Sequence, residues 1–185
     1  MSARIGVVTF PGSLDDADAA RAVTIAGGEA VSLWHGDDDV KNVDAVVLPG
    51  GFSYGDFLRC GAIARFAPVM GTIIDAAHRG MPVFGICNGF QILCERKMLP
   101  GTLRKNKNLT FICDIVRIRK IQTNKLYVLP IAHGEGNYYH TNPSEVNVAY
   151  RYVYDINGSV ENIAGIYNDE GNVLGIMPVS YTHLT

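Results

Sequence analysis

Gly85-Ile86-Cys87-Asn88-Gly89-Phe90 sets a cysteine between two glycines, directly after the apolar run Met81-Pro82-Val83-Phe84. This spacing predicts a strand that turns sharply into a helix with a nucleophile at its apex. A strained nucleophile needs small neighbours two residues before and two after it. The side chain then stands at the carboxyl end of a strand, and the N–H of Asn88 points where an oxyanion would form. The start of a helix is also expected to favour thiolate and lower the cysteine pKa. Two further segments carry polar chemistry. Pro49-Gly50-Gly51-Phe52-Ser53-Tyr54-Gly55-Asp56 follows an apolar strand, where paired glycines let backbone N–H groups approach a ligand oxygen, so Gly51 is a candidate second oxyanion donor. Ala132-His133-Gly134-Glu135-Gly136 is a glycine-rich loop suited to gripping the polar groups of a small substrate. Its spacing from Cys87 leaves open whether His133 could act as the thiol's base.

The elements that position these groups alternate. Arg4–Phe10 reads as a buried β-branched strand, broken by Pro11-Gly12-Ser13. Ser13 or Asp15 is expected to cap a helix running to about Ala26, which Gly27-Gly28 ends. Strands follow at Glu29–Trp34 and Val43–Leu48, then a helical stretch Leu58–Arg79 interrupted near Pro68. Pro82–Ile86 leads into the cysteine, and Asn88–Lys97 is the helix after it. Strands are expected at 111–118, 127–131, 147–154, 163–167 and 173–177, several of them antiparallel. This alternation argues for an α/β three-layer sandwich around a mostly parallel central sheet with some antiparallel strands.

Composition narrows the classes. The chain has 185 residues, 48% of them hydrophobic, enough for one substantial core. Lys and Arg number 16 against 18 Asp and Glu, so no charge excess points to nucleic acid or an anionic membrane. No apolar run reaches the roughly 20 residues that span a bilayer. Cys60, Cys87, Cys94 and Cys113 lack metal-ligand spacing and fit a reduced, cytoplasmic setting; Cys60, Cys94 and Cys113 are read as small buried hydrophobes. Arg104, Lys105 and Lys107 read as a solvated basic loop.

Four segments occur together in order: 49–56, Arg59-Cys60-Gly61-Ala62-Ile63-Ala64, Gly85-Ile86-Cys87-Asn88-Gly89-Phe90-Gln91 and Ala132-His133-Gly134-Glu135-Gly136-Asn137. Asn157-Gly158-Ser159, Ile163-Ala164-Gly165 and Gly171-Asn172-Val173-Leu174-Gly175 continue the pattern. The combination resembles the glutamine amidotransferase subunits of phosphoribosylformylglycinamidine synthase, over nearly all of residues 4–178. The resemblance implies a class I glutamine amidotransferase-like (flavodoxin-like) fold. It implies that Cys87 attacks the side-chain amide of glutamine, with Gly51 and Asn88 forming the oxyanion hole. Tyr54, Gln91, His133, Gly134 and Glu135 would line the glutamine pocket. Ammonia would pass to a synthetase subunit, with a small accessory subunit in the same complex. ATP and Mg would be used by that synthetase, and no cofactor is expected in this chain; no Gly-x-x-x-x-Gly-Lys run is present.

The pattern breaks after Met177-Pro178. The resembling family continues His-Pro-Glu, whereas this chain reads Val179-Ser180-Tyr181-Thr182-His183-Leu184-Thr185. Val179 therefore stands where the family has its general base, and Tyr181 where it has the orienting carboxylate. One domain is expected over 1–178, with 179–185 a tail foreign to it and the thiol left without a positioned base. His183 could replace that base only if the chain folded back over Cys87. The stretch between Cys113 and Pro130 is short for the family, which leaves its strand pairing open. Two other readings stand beside the glutaminase: a non-catalytic scaffold subunit, and a cysteine hydrolase of the peptidase-related amidotransferase-like superfold. The second lacks counterparts to 49–56 and 132–136.

Overall fold

The computed structural model describes residues 2–181. Eleven strands and three α-helices are present among them, in the order β1 (Arg4–Thr9), α1 (Asp16–Ile25), β2 (Glu29–Trp34), β3 (Ala45–Leu48), α2 (Pro68–His78), β4 (Val83–Ile86), α3 (Asn88–Glu95), β5 (Thr102–Arg104), β6 (Ile112–Lys120), β7 (Leu126–His133), β8 (Asn137–Tyr139), β9 (Asn147–Tyr152), β10 (Ile163–Tyr167) and β11 (Val173–Ile176). Nine of the strands form one sheet in the order β2-β1-β3-β4-β11-β10-β9-β6-β7. The five strands from β2 to β11 run parallel, and β10, β9, β6 and β7 continue the sheet antiparallel.

The strand order explains where a site belongs. The β1-α1-β2 crossover moves one way along the sheet and β3-α2-β4 moves the other. Right-handed crossovers then require α1 and α2 on opposite faces, so the chain direction switches between β1 and β3. The carboxyl ends of β1 and β3 diverge there, leaving a crevice open for ligands. Leu33 and Leu48, both fully buried, pack into the same core as Val8, Val46, Ile73, Phe90 and Leu93. Each such side chain contributes about 1.5–3 kcal/mol through burial. A smaller core of Val116, Ile118, Ile131, Tyr152 and Ala164 holds the antiparallel half.

The structure departs from the sequence reading at several elements. Residues 58–63 are not helical; a 3-10 turn at Ala64–Phe66 is followed by α2, which starts at Pro68. Pro68 bars helical backbone at Ala67, whose ψ is 139°, and Gly61 takes φ +75°. The three-residue strands β5 and β8, absent from the expectation, pair as a separate antiparallel ribbon. The short stretch after Cys113 closes as a plain antiparallel hairpin, with Ile112 opposite His133 and Arg119 opposite Leu126. Cys113 is exposed on it rather than buried.

Candidate active site

Strand β4 delivers Cys87 at φ +51° and ψ −106°, a conformation L-residues avoid, and α3 begins at the next residue. Such backbone costs on the order of 1–3 kcal/mol and survives only where its surroundings over-determine it. They do so here. A Cβ on Gly89 would lie 2.0 Å from the Leu48 carbonyl oxygen, and one on Gly85 would lie 2.8 Å from the Gly89 carbonyl. The two glycines therefore let α3 sit directly against the ends of β3 and β4. The Cys87 N–H donates to the Ile176 carbonyl (2.8 Å), pinning the turn to β11.

The thiol is buried, with Sγ 3.8 Å from the Ala132 carbonyl. Contrary to the expectation of a lowered pKa, burial pushes it up to about 12; the nearby Asp15 charge adds to this, and the Asn88 N–H opposes it only partly. Removal from water outweighs the dipole of an eight-residue helix. Asp15 itself does not cap α1, although it occupies the N-cap position, and neither does Ser13, whose Oγ accepts from the Phe10 N–H (3.0 Å). The Asp15 carboxylate instead accepts from the Tyr181 hydroxyl (3.0 Å), which in turn accepts from the Gly50 N–H (2.6 Å). Burial raises the Asp15 carboxyl pKa.

The loops after β1 and β3 are zipped together by a bridge between Ser13 and Gly51. Gly51 takes φ +125°, and a Cβ there would lie 2.6 Å from the Leu14 nitrogen, so no other residue fits. The Asn88 side-chain oxygen accepts from the Ser53 N–H (3.2 Å), and its Nδ2 donates to Gln91 Oε1 (2.9 Å). Gln91 Nε2 donates to the Glu135 carbonyl (2.8 Å), so this chain of bonds joins both glycine-rich loops to α3. Asn88, Gln91 and Glu135 thus come together beside Cys87. Glu135 also accepts from the Cys60 N–H (3.3 Å), and burial followed by the Asp56 carboxylate drives the Cys60 thiol pKa far up. Tyr54 goes elsewhere: its hydroxyl bonds His35 Nδ1 (2.8 Å) beyond β2, three strands from β4 in the sheet.

His133 is buried at the end of β7, and burial pushes its pKa down to about 4. Gly134 accepts the Asn106 N–H through its carbonyl (2.9 Å). Asn157 Nδ2 holds the Gly136 carbonyl (2.8 Å), and Ser159 bonds back to Asn157 (2.7 Å). Sequence reading missed Asn106, which lies inside the basic loop read as solvated, and gave no role to Asn157 or Ser159. Asn157 and Ser159 flank Gly158, a pattern that turns share with sites, whereas Asn106, between Lys105 and Lys107, carried no signal. The Ser53 hydroxyl and His133 Nε2 are buried without a partner among the described residues, as suits groups that would meet a polar ligand.

Val179 is buried and donates its N–H to the Pro130 carbonyl (2.9 Å), and Tyr181 is buried beside Gly50. Both are thus part of the core. Among the described residues, no imidazole, that of His133 included, hydrogen-bonds the thiol; His183 lies outside them. A separate cavity of about 750 Å³, lined by His78, Lys97, Glu145 and Asp169, opens where β11 begins, at the end of the sheet away from Cys87.

Residues 2–183 match the family model of the CobB/CobQ-like glutamine amidotransferase domain. The chain is 56% identical over 195 residues to the phosphoribosylformylglycinamidine synthase subunit PurQ of Rhodococcus jostii, covering 96% of this chain and 87% of the relative. It is 54% identical over 196 residues to the subunit of that name from Mycobacterium tuberculosis H37Rv, with the same coverage. A chain in the structure of PurLQS from Thermotoga maritima superposes with a TM-score of 0.91 at 42% identity, covering 96% of this chain and 87% of its own. A glutamine amidotransferase from Thermotoga maritima, at 15% identity and a TM-score of 0.62 over 96% of this chain and 76% of its own, shares the fold.

Proposed function

The chain belongs to the CobB/CobQ-like glutamine amidotransferase family, and from that premise we propose that it is the glutaminase subunit of a phosphoribosylformylglycinamidine synthase. The observation that carries this reading is the strained Cys87 turn, with Gly50 packed against it and with Asn88 and Gln91 bonded to each other and to the Glu135 carbonyl. Cys87 Sγ attacks the γ-carbonyl carbon of glutamine, and the developing oxyanion is received by backbone N–H groups at Gly51 and Asn88. The proton lost by the thiol passes to the amide nitrogen as the C–N bond breaks, ammonia leaves, and a γ-glutamyl thioester remains. Water then cleaves the thioester, releasing glutamate and restoring the thiol. Gln91 and the His133–Glu135 loop are assigned to glutamine binding; Tyr54, whose hydroxyl is engaged by His35 and whose ring lies against Phe10 and His35, is not.

Ammonia is delivered to a synthetase subunit that converts the amide of formylglycinamide ribonucleotide to an amidine with ATP and Mg, and a small accessory subunit completes the complex. The similarity to a chain of PurLQS supports these partners. So do Leu14, Phe57, Leu58 and Phe66, large apolar side chains exposed on the loops at this end of the sheet. Four free cysteines and a role in purine synthesis support a cytoplasmic setting; none of the described helices is long and apolar enough to cross a membrane.

A non-catalytic role within the same complex is favoured by one observation, the buried Val179 where the resembling family places its base. Reconstitution with the synthetase and accessory subunits separates the two. Amidine formation with glutamine that disappears in Cys87→Ala, while formation with ammonium persists, establishes the glutaminase. Formation with ammonium alone, in the unmodified chain, establishes the scaffold.

A further inference from the structure

Asn106 lies in the loop between β5 and β6 and is completely buried. A primary amide offers two donors and an acceptor with two lone pairs. Asn106 uses all four inside the protein. Its Nδ2 donates to the carbonyls of Thr110 (2.9 Å) and His133 (2.8 Å), and its Oδ1 accepts from the Gly136 N–H (3.1 Å) and faces His133 Nδ1 (3.1 Å). Its backbone N–H holds the Gly134 carbonyl (2.9 Å). One residue therefore ties down three positions of the loop whose Glu135 carbonyl receives Gln91.

These bonds also fix a proton. The Gly136 N–H can only donate and two carbonyls can only accept, so the amide has one orientation. Nδ1 of His133, facing Oδ1, must then carry the hydrogen, which leaves a lone pair on Nε2. The ring fills the space beside Gly136, where a Cβ would be 2.2 Å from its Cε1. Nε2 is buried and has no partner among the described residues. We infer that Asn106 is a positioning residue of the glutamine site, holding His133 as the Nδ1–H tautomer with Nε2 a bare acceptor while fixing the 133–136 loop against Gln91. The inference rests on the glutaminase reading for its ligand, though not for the tautomer.

The test uses the full chain with 15N-labelled histidine, the His133 signals being assigned by their loss in His133→Gln. Long-range proton–nitrogen spectra should show His133 as the neutral Nδ1–H tautomer, with that preference lost in Asn106→Ala and kept in Asn106→Asp, whose carboxylate still accepts from Nδ1. Labelling of Cys87 by a glutamine-mimicking diazoketone should fall roughly tenfold or more in Asn106→Ala, the scale of a misplaced binding group, and recover in part in Asn106→Asp. Labelling by methyl methanethiosulfonate, which needs no glutamine pocket, should change less than about twofold, since it reads access to the thiol alone. An Nε2–H tautomer in the unmodified protein overturns the inference, as does unchanged diazoketone labelling in Asn106→Ala or an equal fall with both reagents. If Asn106→Ala does not fold, Asn106→Asp decides alone: loss of the Nδ1–H tautomer there overturns the inference. Failure of the diazoketone to label the unmodified protein would remove the glutaminase reading and leave the tautomer result standing.

Discussion

At the scale of single residues, the thiol and the groups around it set opposing demands. Cys87 needs to ionise to attack, yet burial and the Asp15 carboxylate hold its pKa up near 12. Asp15→Asn keeps an oxygen for the Tyr181 hydroxyl and removes the charge. Its thiol pKa should fall, and alkylation of Cys87 at pH 8.5 should speed up by roughly threefold or more, the change that about half a pKa unit produces. A rate profile against pH that fails to shift toward lower pH would show that the Asp15 charge does not reach the sulfur. The base is the other demand. Val179 offers none, so replacing Val179 with His and Tyr181 with Glu together should raise glutaminase turnover by about 100-fold, within the usual range for a positioned base. Ammonia release measured for both proteins checks it. The elbow was legible in the sequence because its logic is local: one strained residue and two small neighbours. The direction of the thiol pKa was not, because Asp15 and the covering strand β7 reach Cys87 only through the fold.

At the scale of elements, the same distinction decides which glycines matter. Gly89 lets α3 rest on the end of β3, with the Leu48 carbonyl 2.0 Å from where a Cβ would sit. Backbone cannot yield as a side chain can, so Gly89→Ala should cost at least about 1–3 kcal/mol, the usual penalty for overpacking. Gly71, inside α2, has nothing within 4 Å of its Cβ position. Gly71→Ala should therefore stabilise by about 0.5–1 kcal/mol through helix propensity. Urea midpoints of the two variants should move in opposite directions, and movement of both the same way would refute the packing argument at Gly89. Strands β1, β2, β10 and β11 were readable from runs of β-branched and apolar residues. Strands β5 and β8 were not, since three residues carry no periodicity, and they exist because Tyr138 buries its ring beside Phe90, 5.9 Å between centroids. The polar network of Asn106, Asn157 and Ser159 was illegible for a related reason: nothing in a polar loop sequence says that it is buried.

At the scale of the whole molecule, the parallel half supplies the turn that bears the thiol, and the antiparallel half supplies the cover. Strand β7, at the far edge of the sheet, returns the Ala132 carbonyl to Cys87 and buries His133. That burial ties the stability of the whole chain to pH. His133 has its pKa lowered from 6.5 to about 4 in the folded state. Between those values the unfolded chain binds a proton that the folded chain refuses, so the stabilisation is complete above pH 6.5 and is lost as pH falls toward 4. A shift of that size corresponds to about 3 kcal/mol. Asp15 and Asp56, whose pKa values burial raises, pull the other way at the acid end, because they take up protons more readily when folded. The His133 contribution must therefore be read as a difference. Unfolding free energies of the unmodified chain and of His133→Gln, measured from pH 7.5 to 4.5, should converge as the pH falls, because only the first loses the histidine contribution. Two parallel curves would mean that His133 titrates normally, and β7 would then not shield it from water.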